Sequence, residues 1–179
     1  MPGRRGELGG FCIKTIDMGY IKYMVETAKL LIFTLEGQRY ALALATVERV
    51  IRPVEVTPLP KSPEIVPGII NIHGTIVPVF DVRKRFRLPE KEIGAGDQMI
   101  VARTSSRTVS FGVDGVDGLQ EIPQEEIVPH GEIHPGLEYV EGVVKLADGM
   151  ALIHDLERFL SADEGKKLDK ALKKTKQGQ

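Results

Sequence analysis

Leu30-Leu31-Ile32-Phe33-Thr34-Leu35-Glu36-Gly37-Gln38-Arg39-Tyr40-Ala41-Leu42-Ala43-Leu44 is the stretch that decides the fold. A mostly apolar run from Leu30 to Leu35 enters a Glu36-Gly37 turn, and the chain returns with Tyr40, Leu42 and Leu44 alternating on one face. Alternation with period two on the far side of a short glycine turn is the pattern of a β-hairpin; a helix would repeat its apolar residues every three or four positions.

The same pattern recurs outward from this hairpin. Val66–Ile72 and Thr75–Phe80 flank His73-Gly74 and read as a second hairpin ending at Asp81. Pro53, Pro58, Pro60 and Pro63 make the segment before it an edge and a loop, because proline cannot donate to a central ladder. Residues 83–96 read as a short basic amphipathic turn and then a linker through Gly94 and Gly96. Gln98–Arg103 and Thr108–Val113 form a third hairpin, and Tyr139–Leu146 pairs with Met150–Ile153 across Asp148-Gly149. Asp114-Gly115 and Asp117-Gly118 read as turns, and Pro123–Pro135 as a polar loop. Ser161 with Glu164 three residues on is a capping box, opening a C-terminal helix with Leu168 and Leu172 on one face and lysines in its last turns.

The two halves align with each other. At an offset of 69, Tyr40, Leu42, Leu44, Val47 and Val50 fall on Val109, Phe111, Val113, Val116 and Leu119. At an offset of 74, Val66, Gly68, Ile69, Ile70, Ile72, Val79 and Asp81 fall on Val140, Gly142, Val143, Val144, Leu146, Ile153 and Asp155. A duplicated chain of this kind is all-β: two small five-stranded β-barrels, SH3-like or OB-like, sharing a hydrophobic core because neither buries enough alone. Residues 29–96 are expected to form the first barrel, 97–160 the second, and 161–179 a Lys-rich helix and tail. Residues 1–28 lack a sustained period and read as a disordered leader. Met24 is the expected initiator, with the preceding part an over-extended reading frame; a native N-terminal peptide beginning before Met18 would refute that.

Composition narrows the function. The chain has 179 residues, 42 % of them hydrophobic, and a single cysteine, Cys12, which points to a reducing, cytoplasmic setting. Its apolar stretches fall short of the ~20 residues a spanning helix needs, so no membrane insertion is expected. The formal charge of −1 hides a basic N-terminal stretch, a basic C-terminus with six lysines beyond residue 164, and 21 acidic against 13 basic residues at positions 30–164. Thr108–Val144 carries eight carboxylates and no Lys or Arg, which argues against nucleic acid as a ligand.

No catalytic motif is present: no G-x-S-x-G elbow, no phosphate loop and no H-E-x-x-H. His130, Glu132 and His134 have ligand-like spacing, but Pro129, Gly131, Pro135 and Gly136 forbid the helix that would give it meaning, so neither metal nor cofactor is expected. Asp81 and Asp155 read as helix caps, and Asp114 and Asp117 as turn residues rather than calcium ligands. Val47–Gly74 is harder to explain as scaffold, although Gly68 and Gly74 have structural uses of their own, in close backbone approach or a positive φ.

The segments LIFTLEGQRYALALATVERVI, TPLPKSPEIVPGIINIHGTIVPVFDV, VSFGVDGVDGL and YVEGVVKLADGMALIHDLERFL together resemble the CheW family of chemotaxis coupling proteins over about residues 30–160. The resemblance implies two intertwined five-strand barrels on a common core and no enzymatic activity. It implies an adaptor between chemoreceptor cytoplasmic hairpin tips and the regulatory domain of the histidine kinase CheA, with other CheW-like domains, in rings, as a further partner. By the same resemblance the receptor lies in an apolar groove between the barrels. The family's groove valine falls on Val47, its glycine on Gly68, and its Asn-Leu-Arg-Gly turn on Asn71, Ile72, His73 and Gly74; Arg49 and Val50 complete the candidate set. Two positions depart from the pattern. His73 stands where the family commonly has arginine, and Arg49 where it has an acid, Glu48 being shifted by one. A non-motility signalling pathway, a small-barrel ligand or nucleic-acid module, and a hydrolase using His154 and Asp155 remain as rival readings.

Overall fold

The computed structural model describes residues 11–17, 22–129 and 139–176. Its strands are β1 (Phe11–Asp17), β2 (Lys22–Leu35), β3 (Gln38–Ala43), β4 (Val47–Ile51), β5 (Thr57–Pro58), β6 (Gly68–Ile72) and β7 (Thr75–Phe80). After helix α1 (Val82–Arg85) come β8 (Gln98–Arg103), β9 (Thr108–Val113), β10 (Gly115–Pro123), β11 (Ile127–Pro129), β12 (Val140–Leu146) and β13 (Gly149–His154), and helix α2 (Ala162–Lys176) closes the series.

Two sheets result. One has the order β1-β2-β3-β13-β12-β11, with β10 on the other edge of β2; the second has the order β4-β8-β9-β7-β6-β5. Setting aside β1 and the short edge strands β5 and β11 leaves five strands in each sheet, as the sequence reading requires. The boundary at 96/97 needs correction. The opening hairpin of the first half, β2-β3, lies in the sheet of the second half, and β8-β9 lies in the sheet of the first. Each exchanged hairpin is stitched in by a short parallel pairing, Leu152↔Tyr40 and Ile153↔Ala41 on one side, Val79↔Ser110 and Phe80↔Phe111 on the other. The halves are contiguous in sequence but not in space.

Exchange explains why the deciding stretch is apolar on both faces. Leu31, Phe33 and Leu35 point into a large cluster shared by both sheets, where they meet Phe80, Ile100, Val109 and Phe111. Leu30 and Ile32 point the other way, into the interior of their own sheet with Ala41, Val144, Ala151 and Ile153. The second sheet has its own interior of Ile70, Val77, Val79 and Met99. Buried on both faces, such a strand loses simple alternation and becomes a continuous apolar run.

Two other expectations change. The segment read as a disordered leader is in strand at Phe11–Asp17 and again from Lys22, with seven residue pairs joining β1 to β2; a hairpin needs only matched backbone edges, and its ladder extends beyond the point where apolar periodicity begins. The supposed loop at Pro123–Pro135 is in part the end of β10 and the strand β11, paired Ile127↔Val144 to Pro129↔Gly142. The candidate ligands His130, Glu132 and His134 lie outside the described residues.

The C-terminal capping box forms reciprocally: Glu164 N–H donates to Ser161 Oγ (3.2 Å) and Ser161 N–H to Glu164 Oε2 (2.8 Å). Leu168, Ala171 and Leu172 then seal the shared core.

The duplication is visible in backbone detail. Asp81 N–H donates to Ile65 O (2.8 Å) and Asp155 N–H to Tyr139 O (3.1 Å), at the same offset of 74, and both aspartates cap the turn that follows. Gly68 and Gly142 each let the preceding edge strand approach. A Cβ on Gly68 would strike Thr57 O and lie 2.8 Å from Val56 Cγ1; on Gly142 it would lie 2.8 Å from Val128 O. Gly68→Ala is therefore expected to destabilise the fold by about 1–3 kcal/mol, with Gly142→Ala costing less. Urea midpoints of the two variants test this, and an unshifted midpoint for Gly68→Ala contradicts it.

Candidate functional site

The residues singled out from the sequence all fall on the second sheet, in two places. Val47, Arg49 and Val50 belong to β4, whose far end brings Ile51 onto the interior cluster of that sheet. Gly68, Asn71, Ile72, His73 and Gly74 form β6 and its turn into β7. Pairing order separates β4 from β6 by β8, β9 and β7, so the two segments are not ladder neighbours. What they share is the interior cluster of that sheet, against which Ile51 of β4 and Ile72 of β6 both pack.

Individual placements sort these residues by role. Val47 is half-buried and packs on the shared core, whereas Arg49 is exposed and Val50 is 36 % exposed. Gly68 is buried and its space is taken up by the backbone of β5, so its role is structural. His73 (φ +49°) and Gly74 (φ +87°) occupy the left-handed positions of a tight hairpin turn, which only glycine adopts without cost. Asn71 Oδ1 accepts from Gly74 N–H at 2.7 Å and holds the turn closed, leaving the His73 ring exposed. Ile76, at the start of β7, adds another exposed aliphatic side chain.

The acid displaced by one position has a geometric explanation that sequence reasoning did not supply. The register of β4 on β8 slips between Val47 and Arg49, so Glu48 sits at a β-bulge. Its carboxylate accepts from Arg103 Nε (2.8 Å) and Thr108 Oγ1 (3.2 Å), a cross-strand pair of the β8-β9 hairpin. The other half repeats the device with the partners exchanged. Asp117 lies at the bulge of β10, accepts from Thr34 Oγ1 (3.2 Å) and pairs with Arg39 (3.4 Å), and Thr34 and Arg39 are cross-strand neighbours of β2-β3. Both acids lie at the offset of 69 noted above, and that offset was the available signal. Glu48 thus holds the exchanged hairpin, and the reading of Asp117 as a turn residue gives way to this one.

Asp114 also differs from its sequence reading. It accepts from Arg83 Nη2 (2.6 Å), Lys91 Nζ (2.7 Å) and Glu36 N–H (2.7 Å). Burial pushes its carboxyl up, but those three hydrogen bonds outweigh burial and hold it at about 2. Lys91 bridges onward to Asp97 (2.6 Å), strapping the 89–97 linker across the second sheet. Between this strap and the segment after β4 lies a cavity of ≈530 Å³ with Val54, Val56, Val79 and Ile93 among its walls. A smaller cleft of ≈190 Å³ opens between the second sheet and the C-terminal segment, lined by Phe80, Val109, Leu156 and Leu160 beside the start of α2. Neither is lined by the candidate residues on β4 and the β6-β7 turn.

The hydrolase reading loses its geometry. His154 is buried, its ring centroid 4.1 Å from that of Phe86, and its Nδ1–H donates to Tyr139 O at 2.9 Å. Asp155 accepts from Glu157 N–H as a cap (2.9 Å). No group of three or more potential metal ligands occurs among the described residues.

Comparison with known proteins agrees with this architecture. Residues 29–164 match the model of the CheW-like domain. The chemotaxis protein CheW of Klebsiella aerogenes is 30 % identical over 145 residues, covering 80 % of this chain and 87 % of that protein. That of Thermotoga maritima is 31 % identical over 133 residues, covering 74 % and 87 %. The crystal structure of the scaffolding protein TtCheW from Thermoanaerobacter tengcongensis superposes with a TM-score of 0.70 at 28 % identity, covering 76 % of this chain and 94 % of that one. With matched sequence running through both exchanged sheets, the chain belongs to the CheW-like family of non-catalytic chemotaxis scaffold proteins.

Proposed function

We propose that the chain couples the cytoplasmic hairpin tips of chemoreceptors to the regulatory domain of the histidine kinase CheA, in an array at the cytoplasmic side of the membrane. The observation that carries this reading is the family match across both sheets, 29–164. Among the described residues no helix is long and apolar enough to cross a membrane, so attachment to the array goes through protein contacts. Exposed Arg49 and Val50 on β4, with Ile72 and His73 at the β6-β7 tip, supply aliphatic anchors and polar neighbours suited to a helical tip.

Val50→Asp is the cleanest test, because this side chain is exposed and contributes little to the core. Binding of a receptor tip fragment is expected to weaken about tenfold, since a carboxylate must be desolvated in an apolar contact, while affinity for the purified kinase domain stays unchanged in calorimetry. Val47→Asp is expected to weaken receptor binding too, but also to lower the unfolding midpoint, because Val47 packs on the shared core. Unchanged receptor affinity in Val50→Asp removes β4 from the contact.

His73 supplies a second test. His73→Ala is expected to weaken binding of the receptor tip fragment about threefold, because the exposed ring stands at the β6-β7 tip, while affinity for the kinase domain is unchanged. Unchanged receptor affinity makes His73 a turn residue only.

A further inference from the structure

The cavity of ≈530 Å³ beneath the linker strap has a composition that selects its occupant. Its walls are aliphatic, with Val54 and Ile93 both partly exposed at its mouth. Its charged lining is unbalanced: Glu55, Asp81, Glu92, Asp97 and Asp114 face only Arg83 and Lys91. The three aspartates are engaged within the chain by the Lys84 amide, Lys91 and Arg83. Glu55 and Glu92 are exposed and have no ion pair among the described residues. A concave, aliphatic site with surplus carboxylate at its rim suits a long apolar stem ending in an ammonium group, which is the chemistry of a lysine side chain.

The chain itself displays such groups on α2. Lys166, Lys170, Lys173 and Lys174 recur at i, i+4, i+7 and i+8, with Lys167 beside them, opposite the face that buries Leu168 and Ala171. Asp169 is turned to Arg107 (2.8 Å) and Asp163 to Lys166 (3.9 Å). Lys167, Lys170, Lys173 and Lys174 have no ion pair among the described residues, and like charges four apart repel.

We propose that the lysine face of α2 docks into the acid-rimmed cavity beneath the strap of a second copy of this chain. The body of the chain is acidic at positions 30–164, so an anionic bilayer or a nucleic acid would repel most of the surface that this cavity attracts. Helix and cavity are different surfaces, so the contact either repeats head to tail from copy to copy or is made twice, reciprocally, across a two-fold axis, and the mass of the assembly distinguishes the two.

Sedimentation equilibrium of the full chain tests this. Association is expected at low ionic strength and to weaken about tenfold or more once salt shortens the screening length below about 8 Å. Charge reversal of the helix (Lys170→Glu, Lys173→Glu, Lys174→Glu) and of the rim (Glu55→Lys, Glu92→Lys) should each abolish it. A mixture of the two variants should associate again, because each then offers what the other needs. Circular dichroism confirms that both variants are folded; if the helix variant is not, the rim variant alone decides. A native chain that stays monomeric at low salt overturns the proposal, as does association indifferent to the rim reversal. Binding of the monomer to phosphatidylserine vesicles without self-association overturns it in favour of a lipid surface.

Discussion

Arg83→Ala is expected to destabilise the fold by about 3 kcal/mol or more, the lower part of the range for breaking a buried ion pair. The side chain is 8 % exposed, and its guanidinium donates to Glu36 Oε2 (2.8 Å), Asp114 Oδ1 (2.6 Å) and Pro89 O (3.2 Å). Those acceptors sit on three separate pieces: the β2-β3 turn, the crossing from β9 into β10, and the strap. One cation therefore joins the exchanged hairpin to the sheet from which it has departed. Lys91 remains beside Asp114 when Arg83 is lost, which keeps the cost from rising further. A double-mutant cycle with Asp114→Asn, read from urea midpoints, should show a coupling above about 1 kcal/mol; additive losses would mean that the two residues do not act together. The same cluster sets an acid limit. The folded-state value of Asp114, about 2, lies below its unfolded one, so its contribution is complete above about pH 4 and disappears as pH falls toward 2.

A second loss of stability is expected at milder acidity, from His154. Burial dominates and drives its imidazole down to about 4, the hydrogen bond to Tyr139 O being included in that balance. The ring is enclosed by Phe86, Tyr40 and Phe159, and its Nε2 has no hydrogen-bond partner among the described residues. In the unfolded chain an imidazole takes up its proton near 6.5. Between about pH 6.5 and 4 the unfolded state thus binds one more proton than the folded state, and stability declines as pH falls. The loss across the window is about 3 kcal/mol. Urea midpoints at the two ends of the window measure it, and His154→Phe, which preserves the aromatic packing, should flatten the dependence. A native chain whose midpoint does not move, or one whose slope survives in His154→Phe, excludes His154 as the cause.

Much of this architecture was legible because periodicity reports burial. Alternation of Tyr40 and Leu42, the Glu36-Gly37 and His73-Gly74 turns and the Ser161-Glu164 cap each reflect a local rule, and each matches the structure, whereas Leu44 leaves β3 for a short 3-10 turn and Gly115 and Gly118 lie within β10. The exchange of hairpins was not legible from composition or spacing. A strand buried on both faces has the same run of Leu, Ile and Phe whichever sheet receives it, so β2 carries no mark of its partner. The charged clusters were hidden for a related reason. Arg83 and Asp114 are 31 residues apart and Glu48 and Arg103 are 55 apart, and charge by itself gives no indication of which distant carboxylate a guanidinium will meet. The candidate residues come from the sequence resemblance, and the structure adds where each one sits. Arg49, Val50 and His73 are exposed as a docking surface requires, but Gly68 and Glu48 turn out to serve the scaffold.

The crossed sheets also set a timetable for synthesis. β2 and β3 leave the ribosome early, yet the strand β10 that flanks β2 and the strand β13 that flanks β3 are made about 70 and 110 residues later. At ~5–20 residues per second, that interval amounts to several seconds in which the stretch Leu30, Leu31, Ile32 and Phe33 of β2 has only β3 paired beside it. The nascent chain is then greasy, half-matched and available to the wrong strand. Holdase chaperones should bind it in that interval and let go once β13 has emerged.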